Sequence, residues 1–259
     1  MAIVNVTPDS FSGDGLENPT DATARAVAQW SAGADLLDVG GESTRPGHQP
    51  VDESIEIARV VPVIRAVRAQ LPNVPISVDT YKPGVLRAAH EAGADMVNSV
   101  WGASDELLDL AAEFGMPIVA MHNQIGTEYE GSVVDAVLRF LDDCAARATA
   151  RGIAREALVL DPGIGFGKTA DQSIAVLQAL DRIVALGFPT MLGTSRKSTV
   201  GKLTGREPGE RVYGTAATTA LAIKAGIDMV RVHDVAATRD AVAVADAIVR
   251  NWRPVEWTQ

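Results

Sequence analysis

Short apolar segments and longer amphipathic segments alternate eight times along this chain of 259 residues. The short segments predict strands near residues 2–6, 35–39, 75–78, 96–100, 117–121, 158–160, 190–193 and 229–232. The longer segments have helical apolar spacing and predict helices near residues 21–31, 52–71, 85–91, 105–114, 132–150, 174–184, 210–225 and 237–252. Eight strand-then-helix units favour an α/β fold of the (β/α)8 TIM-barrel type over an open, doubly wound sheet.

The junctions between predicted helices and strands repeat one local pattern. The sequences AGADLLDV, AGADMVNS and AGIDMVRV begin at Ala32, Ala92 and Ala225. In each, a glycine is placed to end a helix in the left-handed conformation before a buried strand begins. The sequence has no low-complexity segment and no linker, and barrels of this type commonly use about 250 residues as one domain. We therefore expect residues 1–259 to form a single domain.

The charge balance and the cysteine count limit the functions that the chain can have. There are 23 basic and 33 acidic residues, a formal net charge of −10, which makes a poor general binder of nucleic acid or anionic membranes. Cys144 is the only cysteine, so no internal disulfide can form, and a reducing, cytoplasmic location is expected. Residues 1–7 have neither the basic nor the apolar region typical of a signal peptide, and we expect no membrane span, because no apolar run approaches the roughly 18 residues that a span needs.

Polar or charged residues follow the predicted strands. Because the carboxyl ends of all strands meet at one mouth of a TIM barrel, these residues are expected to surround one ligand site. A single aspartate at a strand end is as often a helix cap or a solvated loop residue, whereas the whole set favours a binding site. The set consists of Asn5, residues 38–45, Asp79, Asn98, His122, Asp161, Lys197 and residues 231–233.

The glycine-rich segment DPGIGFGKT at residues 161–169 has the composition of a nucleotide-binding loop but the wrong spacing. A P-loop would need a glycine five positions before Gly167, where Pro162 stands. A dinucleotide-binding fingerprint would need a glycine in place of Lys168. The segment instead predicts a tight, exposed turn after the sixth strand, with Asp161 at its base and Phe166 at its tip.

Four of the strand-end side chains suit a flat heterocycle with an amino-pyrimidinone edge. The carboxylates of Asp79 and Asp161 can each accept two parallel N–H bonds. The amide of Asn98 can donate and accept at once, and the ammonium of Lys197 can donate to a ring carbonyl or nitrogen. The residue types therefore predict a pocket for a heterocycle of this kind.

The rest of the mouth suits an anion. Asn5 offers a neutral oxygen that can help to hold a phosphate-bound Mg²⁺, and Ser198 can begin a helix whose N-terminal amides attract anions. For Arg196, an ion pair with a neighbouring loop carboxylate is as good an interpretation as ligand contact. Zinc is not expected, because one cysteine and four scattered histidines have no zinc-ligand spacing. The basic residues of the mouth are Arg45, Arg196, Lys197, Arg231 and His233.

Six short motifs run in order along nearly the whole chain. They are NVTPDSF at 5–11, DVGGESTRPG at 38–47, SVDT at 77–80, DPGIGFGK at 161–168, SRK at 195–197 and RVHD at 231–234. Together they resemble the dihydropteroate synthase family, and the first two are the most specific. The resemblance implies a TIM-barrel transferase that condenses 6-hydroxymethyl-7,8-dihydropterin pyrophosphate with p-aminobenzoate. The products would be 7,8-dihydropteroate, a folate precursor, and pyrophosphate.

The resemblance also implies roles for single residues. Arg231 would pack on the pterin face and, with His233, would bind the pyrophosphate, while Asn5 would contact Mg²⁺. The residues that would hold the pterin deep in the barrel are Asp79, Asn98, Asp161 and Lys197. The implied catalytic residues are Asp79, Asp161, Lys197, Arg231 and His233. Val232 is also expected among the substrate-binding residues.

The remaining implied roles concern the second substrate and assembly. Thr44 and Arg45 would help to close the site, and Phe11, Pro46, Phe166 and Ser198 would line the p-aminobenzoate pocket. In the family, pyrophosphate leaves first, and the arylamine attacks the resulting pterin cation. The family is typically dimeric and is the target of sulfonamides, which mimic p-aminobenzoate.

The sequence departs from the family pattern at several positions and leaves two alternatives. Ser99 replaces a usual aspartate, Asp14 is displaced by one position, and Ser173 replaces a frequent asparagine. The alternatives are a methyltetrahydrofolate-binding methyltransferase domain and a non-catalytic paralogue. The methyltransferase domain would not need the STRPG loop that begins at Ser43. The non-catalytic paralogue is disfavoured by the presence of Asn5, Thr44, Arg45 and His233.

Overall fold

The computed structural model describes residues 1–7, 18–43 and 50–255. Its strands are β1 (Ala2–Asn5), β2 (Leu37–Gly40), β3 (Ile76–Asp79), β4 (Met96–Ser99), β5 (Ile118–Met121), β6 (Leu158–Asp161), β7 (Met191–Leu192) and β8 (Met229–Val230). Its helices are α1 (Pro19–Ser31), α2 (Glu53–Gln70), α3 (Pro83–Ala92), α4 (Asp105–Phe114), α5 (Val133–Ala150), α6 (Ala170–Gln178), α7 (Leu180–Val184), α8 (Ser198–Thr204), α9 (Val212–Ala225) and α10 (Val235–Val249). Short 3-10 helices lie at Arg155–Ala157 and Pro208–Glu210.

The strands close into a parallel barrel. Strands β1 to β6 form one sheet in sequence order, and β7 pairs with β8. A parallel bridge between Leu160 and Thr190 joins β6 to the start of β7, and a second bridge between Ala2 and Val232 joins the end of β8 to β1. Pairing therefore runs from each strand to the next around the ring, and the expected TIM-barrel architecture is confirmed.

The barrel interior is apolar at its floor and polar at its mouth. A separate cluster of buried side chains fills the floor: Met1, Leu36, Met96, Val119, Val159 and Met191, with Met229 packed against it. Side chains two residues apart along a strand lie on the same face, so the floor residues predict which polar residues lie above them inside the barrel. The pairs are Leu36 and Asp38, Met96 and Asn98, Val159 and Asp161, and Met229 and Arg231.

Most of the core lies between the strands and the surrounding helices, which bury their apolar stripes against the barrel. The expected glycine junctions are confirmed, since Gly33, Gly93 and Gly226 have φ values of 96°, 107° and 102°. No helix in the described part of the chain is long and apolar enough to cross a membrane.

Several helices differ from the expectation, and the last one, expected to reach residue 252, ends at Val249. The single helix expected at 174–184 is divided into α6 and α7 at Ala179, whose φ and ψ of −112° and 23° leave the helical region. Leu180 and Ile183 remain buried, so the apolar spacing continues across the break and conceals it in the sequence. The helix expected from residue 210 begins at Val212, because Pro208–Glu210 forms a 3-10 turn before it.

Candidate active site

Arg231 and Asp38 organise the centre of the barrel mouth. Arg231 Nε donates to Asp38 Oδ2 at 2.6 Å, and Arg231 Nη2 donates to Asp79 Oδ2 at 2.7 Å. Asn98 Nδ2 also donates to Asp38 Oδ2, at 3.0 Å. One guanidinium thus bridges two buried carboxylates, and Asp38 fixes both Arg231 and Asn98.

Asp38 belongs to the strand-end set but was not expected to be a site residue. It lies at the start of the DVGGESTRPG motif and is fully buried. Its position two residues after the floor residue Leu36 is the signal that places it inside the barrel. The later residues of the motif carry more conspicuous charges, which conceal this signal in the sequence.

Several buried acceptor atoms at the mouth have no hydrogen-bond partner among the described residues. Asp79 is bound through Oδ2 only, and Asn98 through Nδ2 only. A buried acceptor that is left unpaired destabilises the fold by roughly 1–3 kcal/mol, so such atoms call for an explanation. Ligand N–H or O–H groups would satisfy them. The unpartnered atoms on the inner face are Asp38 Oδ1, Asp79 Oδ1, Asn98 Oδ1 and Ser77 Oγ.

The β3–β4 register brings two of these acceptors side by side. Asp79 pairs directly with Asn98 across the two strands, and both side chains are buried. The pKa of Asp79 is raised to about 7, because burial and the neighbouring Asp38 raise it by more than the Arg231 guanidinium lowers it. The mouth therefore holds one carboxyl group that changes charge near neutral pH.

Asp161, at the end of β6, and Lys197, in the loop after β7, lie close together at the mouth. Asp161 Oδ1 accepts from the Gly163 backbone N–H at 2.7 Å. Burial raises the pKa of Asp161, and Lys197 opposes this rise. Burial lowers the pKa of Lys197 to about 8, and Asp161 opposes that shift in turn. Lys197 Nζ donates to the Ile164 carbonyl oxygen and lies 4.3 Å from the centre of the Phe166 ring.

The turn after β6 is held by a second lysine, Lys168, and by His122. Lys168 Nζ lies 2.8 Å from His122 Nδ1 and donates to two carbonyl oxygens of the turn. Both residues are buried. His122 had no expected role, and the structure gives it a contact that links β5 to the glycine-rich turn.

His233 and Arg196 are both held by neighbouring loops. His233 Nδ1 lies 2.9 Å from Ser195 Oγ, and its carbonyl oxygen accepts from Gln29 Nε2 at 2.8 Å. Arg196 forms a two-bond ion pair with Asp234, with Nε–Oδ2 at 2.9 Å and Nη2–Oδ1 at 2.5 Å. Of the two interpretations of Arg196, the ion pair with a loop carboxylate is therefore the one that is present.

The other expected site residues differ in exposure. Ser198 is exposed at the start of α8, and Phe166 is half-buried. Val232 is buried in the core, and its backbone bonds to β1 through Ile3 N–H at 3.0 Å. Asn5 is half-buried at the end of β1. Thr44, Arg45, Phe11 and Pro46 lie outside the described residues.

The loop after β2 is held at its two described ends by a buried group of ionic contacts. Lys82 donates to Glu42, to Glu56 at 2.7 Å and to the Val51 carbonyl oxygen at 2.6 Å. Tyr81 donates its hydroxyl to the second carboxylate oxygen of Glu42 at 2.8 Å. Glu42 precedes the segment 44–49 and Val51 follows it, so one lysine ties both sides of this loop to α3.

The donor set at the mouth fits a magnesium ion only if phosphate groups supply most of its ligands. Within residues 1–7, 18–43 and 50–255, no three His, Cys, Asp or Glu side chains are grouped to hold a metal. Asn5 provides one hard amide oxygen of the kind that Mg²⁺ binds, and Mg²⁺ in such sites keeps substrate phosphates and waters as ligands.

Comparisons with known proteins agree with this geometry. The model of the family "Pterin binding enzyme" matches residues 1–233. Dihydropteroate synthase of Clostridium beijerinckii is 44% identical over 254 residues, which cover 96% of this chain and 94% of that protein. The enzyme of Synechocystis is 44% identical over 265 residues, with coverage of 98% and 90%.

Solved structures give the same result. Clostridium difficile dihydropteroate synthase, determined in the presence of pteroic acid, has a TM-score of 0.91 at 44% identity and 96% coverage of both chains. The Xanthomonas albilineans enzyme with 4-aminobenzoic acid has a TM-score of 0.90 at 43% identity, covering 98% of this chain and 93% of that one. The chain therefore belongs to the dihydropteroate synthase family of pterin-binding transferases.

Proposed function

We propose that the protein condenses 6-hydroxymethyl-7,8-dihydropterin pyrophosphate with p-aminobenzoate to give 7,8-dihydropteroate and pyrophosphate in folate biosynthesis. The observation that carries the proposal is the group of unpartnered buried acceptors at the mouth of a barrel whose relatives are dihydropteroate synthases. The Thermus thermophilus enzyme, 40% identical with a TM-score of 0.85 over 96% of this chain and 93% of that one, has been solved in complex with 6HMPPP. Its similarity supports the assignment of the first substrate.

The pterin would bind between β3, β4, β6 and the loop after β7. Asp79 Oδ1 and Asn98 Oδ1 are buried and unpartnered, so they can accept N–H bonds from the pyrimidinone edge. Asp161 and Lys197 bring an acceptor and a donor from the other side of the mouth. A pterin has donors and acceptors on adjacent edge atoms, and this set can satisfy both.

The pyrophosphate would bind near β1 and β8. Arg231 is held in place by Asp38 and Asp79, so its planar guanidinium is fixed before a ligand arrives and can stack on the pterin face. His233 follows it on the same strand end. Asn5 would hold Mg²⁺, which when bound would neutralise charge on the leaving pyrophosphate.

The chain's residues would act by positioning and electrostatics. The C–O bond to pyrophosphate breaks first, and the arylamine nitrogen then attacks the pterin cation and loses a proton. Asp79 and Asp161 in their ionised form stabilise positive charge beside them, while Arg231 and His233 stabilise the negative charge of the leaving group. No covalent nucleophile is required.

The p-aminobenzoate would bind at the outer part of the mouth. Phe166 offers an aromatic ring and Ser198 an exposed hydroxyl beside Lys197. Val232, Thr44 and Arg45 complete the proposed substrate-binding set, the last two from outside the described residues. A Thermus thermophilus relative solved with 4-aminobenzoate, 40% identical with a TM-score of 0.86 over 96% of this chain and 93% of that one, supports this second substrate.

We also propose that residues 1–259 form one domain, that the protein is a homodimer and that it works in the cytoplasm. Helix α9 carries apolar residues on all sides and packs beside α10. A helix that is apolar on all sides is usually buried against other protein surface rather than left in solvent. The exposed large apolar residues of this pair are Tyr213, Leu221, Val244, Ile248 and Val249. A second copy of the chain would bury them.

The experiment that tests the function uses purified protein with the dihydropterin pyrophosphate, p-aminobenzoate and MgCl2. We expect pyrophosphate and dihydropteroate to appear in equal amounts. A methyltetrahydrofolate-binding protein would release no pyrophosphate and would instead bind methyltetrahydrofolate. A non-catalytic paralogue would bind the pterin pyrophosphate without turnover, and either result would contradict the proposal.

A further inference from the structure

The ammonium of Lys168 is buried without an ion pair to any residue in the described ranges. Its three contacts are His122 Nδ1 at 2.8 Å, the Gly163 carbonyl oxygen at 2.9 Å and the Phe166 carbonyl oxygen at 3.0 Å. A lysine ammonium has three donors, and here each donor has one acceptor. Burial and, to a lesser extent, Lys197 lower the pKa of Lys168 to about 7, so the tie between β5 and the turn after β6 depends on these three contacts rather than on a fixed charge.

His122 can serve as the acceptor because its ring is neutral. Burial lowers the pKa of His122 to about 3, and the nearby Lys168 lowers it further. The ring is fixed by an edge contact with Phe140 at 4.9 Å and by Tyr129 at 6.1 Å. Tyr129 also donates its hydroxyl to the Gly167 carbonyl oxygen at 2.7 Å. The residues around β5 thus hold the turn at both of its ends.

The turn fits against this support with no space for a larger residue. Gly163, Gly165 and Gly167 have φ values of 68°, 78° and 55°. A Cβ atom on Gly163 would lie 1.9 Å from the His122 carbonyl oxygen, and one on Gly167 would lie 2.6 Å from the Gln124 carbonyl oxygen. The position of the turn is therefore set by its contact with the segment 122–129.

Along the turn after β6, carbonyl groups that bond to Lys168 alternate with groups that contact Lys197. Gly163 and Phe166 accept from Lys168 through their carbonyl oxygens, while the Ile164 carbonyl oxygen accepts from Lys197. The Phe166 ring lies under Lys197 Nζ, and the Gly163 N–H donates to Asp161. Any change in the turn would move the surroundings of Lys197.

We propose that Lys168 and His122 are positioning residues of the transferase, which hold the turn after β6 so that Ile164 fixes Lys197, a proposed pterin donor, and Phe166 lies at the p-aminobenzoate side of the mouth. This inference rests on the proposed function. Neither residue would contact substrate. Their effect reaches the reaction through the Lys197 ammonium and the Phe166 ring.

The test compares Lys168→Met and His122→Phe with the wild-type enzyme. Methionine keeps an unbranched side chain and removes the three donors, and phenylalanine keeps the ring contacts and removes Nδ1. We expect the KM for p-aminobenzoate to rise about tenfold in Lys168→Met and by less in His122→Phe, as for the loss of charge-assisted bonds. Affinity for the dihydropterin pyrophosphate should fall as well, because Asp161 and Lys197, two of the proposed pterin contacts, both bond to this turn.

Lys224→Met is the matched control, since Lys224 is exposed at the end of α9 that lies away from the mouth. A lower melting temperature with both substrate constants unchanged would assign Lys168 a purely structural role and overturn the inference. A wild-type protein that forms no dihydropteroate would instead overturn the proposed function, so the two failures can be told apart.

Discussion

Arg231 binds one oxygen of Asp79, with Nη2 and Oδ2 2.7 Å apart, and the other oxygen has no partner among the residues that the structure describes. The carboxylate is thus oriented before any ligand binds, and its second oxygen remains a buried acceptor. Burial raises its pKa to about 7 in spite of Arg231. The arrangement makes the charge of this strand-end residue depend on pH in the range where enzymes work.

The affinity for a pterin should therefore depend on pH in a bell-shaped manner. Asp79 accepts pterin N–H groups as a carboxylate, so affinity should fall as the pH drops below the Asp79 pKa of about 7. Lys197 donates as an ammonium, so affinity should fall as the pH rises above its pKa of about 8. The measurement is equilibrium binding of a pterin without phosphate groups, which removes phosphate titration from the profile.

The matched variant for this profile is Asp79→Asn. It keeps the shape of the side chain and removes its titration, so the acidic limb should disappear and affinity at pH 8 should fall about tenfold or more. An acidic limb that persists in Asp79→Asn would mean that another group controls binding.

Gly163→Ala should severely destabilise the protein. The residue has a φ of 68°, and an added Cβ would lie 1.9 Å from the His122 backbone oxygen. We expect the free energy of unfolding to fall by more than about 3 kcal/mol through strain and overlap together. The measurement is urea denaturation.

Gly152→Ala is the control for this prediction. Gly152 has a similar φ of 80°, and no atom in the described part of the chain lies within 4 Å of the added Cβ. Only the backbone strain applies there, so the loss should be about 1 kcal/mol. Equal losses at the two positions would show that contact with His122 is unimportant.

Much of the site could be predicted because parallel strands have only one mouth. Asp79, Asn98 and Asp161 follow apolar strand segments, and the topology then brings them together whatever the details of packing. The period of two along each strand places them on the inner face above an apolar floor. These predictions need only the local sequence and the rule that the parallel strands of a barrel end at one mouth.

The rest of the site depends on contacts that no local pattern encodes. The Lys168–His122 contact joins residues 46 positions apart, and Asp38 binds Arg231 across 193 positions. The break at Ala179 has neither glycine nor proline to mark it. Arg196 allowed two interpretations from sequence, and only the placement of Asp234 selects the ion pair.

The proposed dimer face can be tested with a charge. Leu221 on α9 is 65% exposed, and Leu221→Glu should place a carboxylate in the proposed interface, where its desolvation would oppose association. We expect a dimer for the wild-type chain and a monomer for the variant in light scattering. The control is Ile125→Glu, which changes an apolar side chain that is 92% exposed on the loop after β5. This variant should leave the dimer intact. A wild-type monomer would refute the proposed face.

The most direct test of the site as a whole is the rate of dihydropteroate formation by Asp161→Asn beside the wild type. Asp161 is buried, and its carboxylate accepts a hydrogen bond from the Gly163 N–H in the turn after β6. It lies close enough to Lys197 to affect the pKa of that lysine. We expect a folded variant whose kcat/KM for the pterin pyrophosphate is lower by about 30- to 100-fold, while Asp171→Asn, at an exposed position on α6, should remain at the wild-type rate. A folded Asp161→Asn with unchanged kcat/KM would contradict the claim that the strand-end residues bind the pterin.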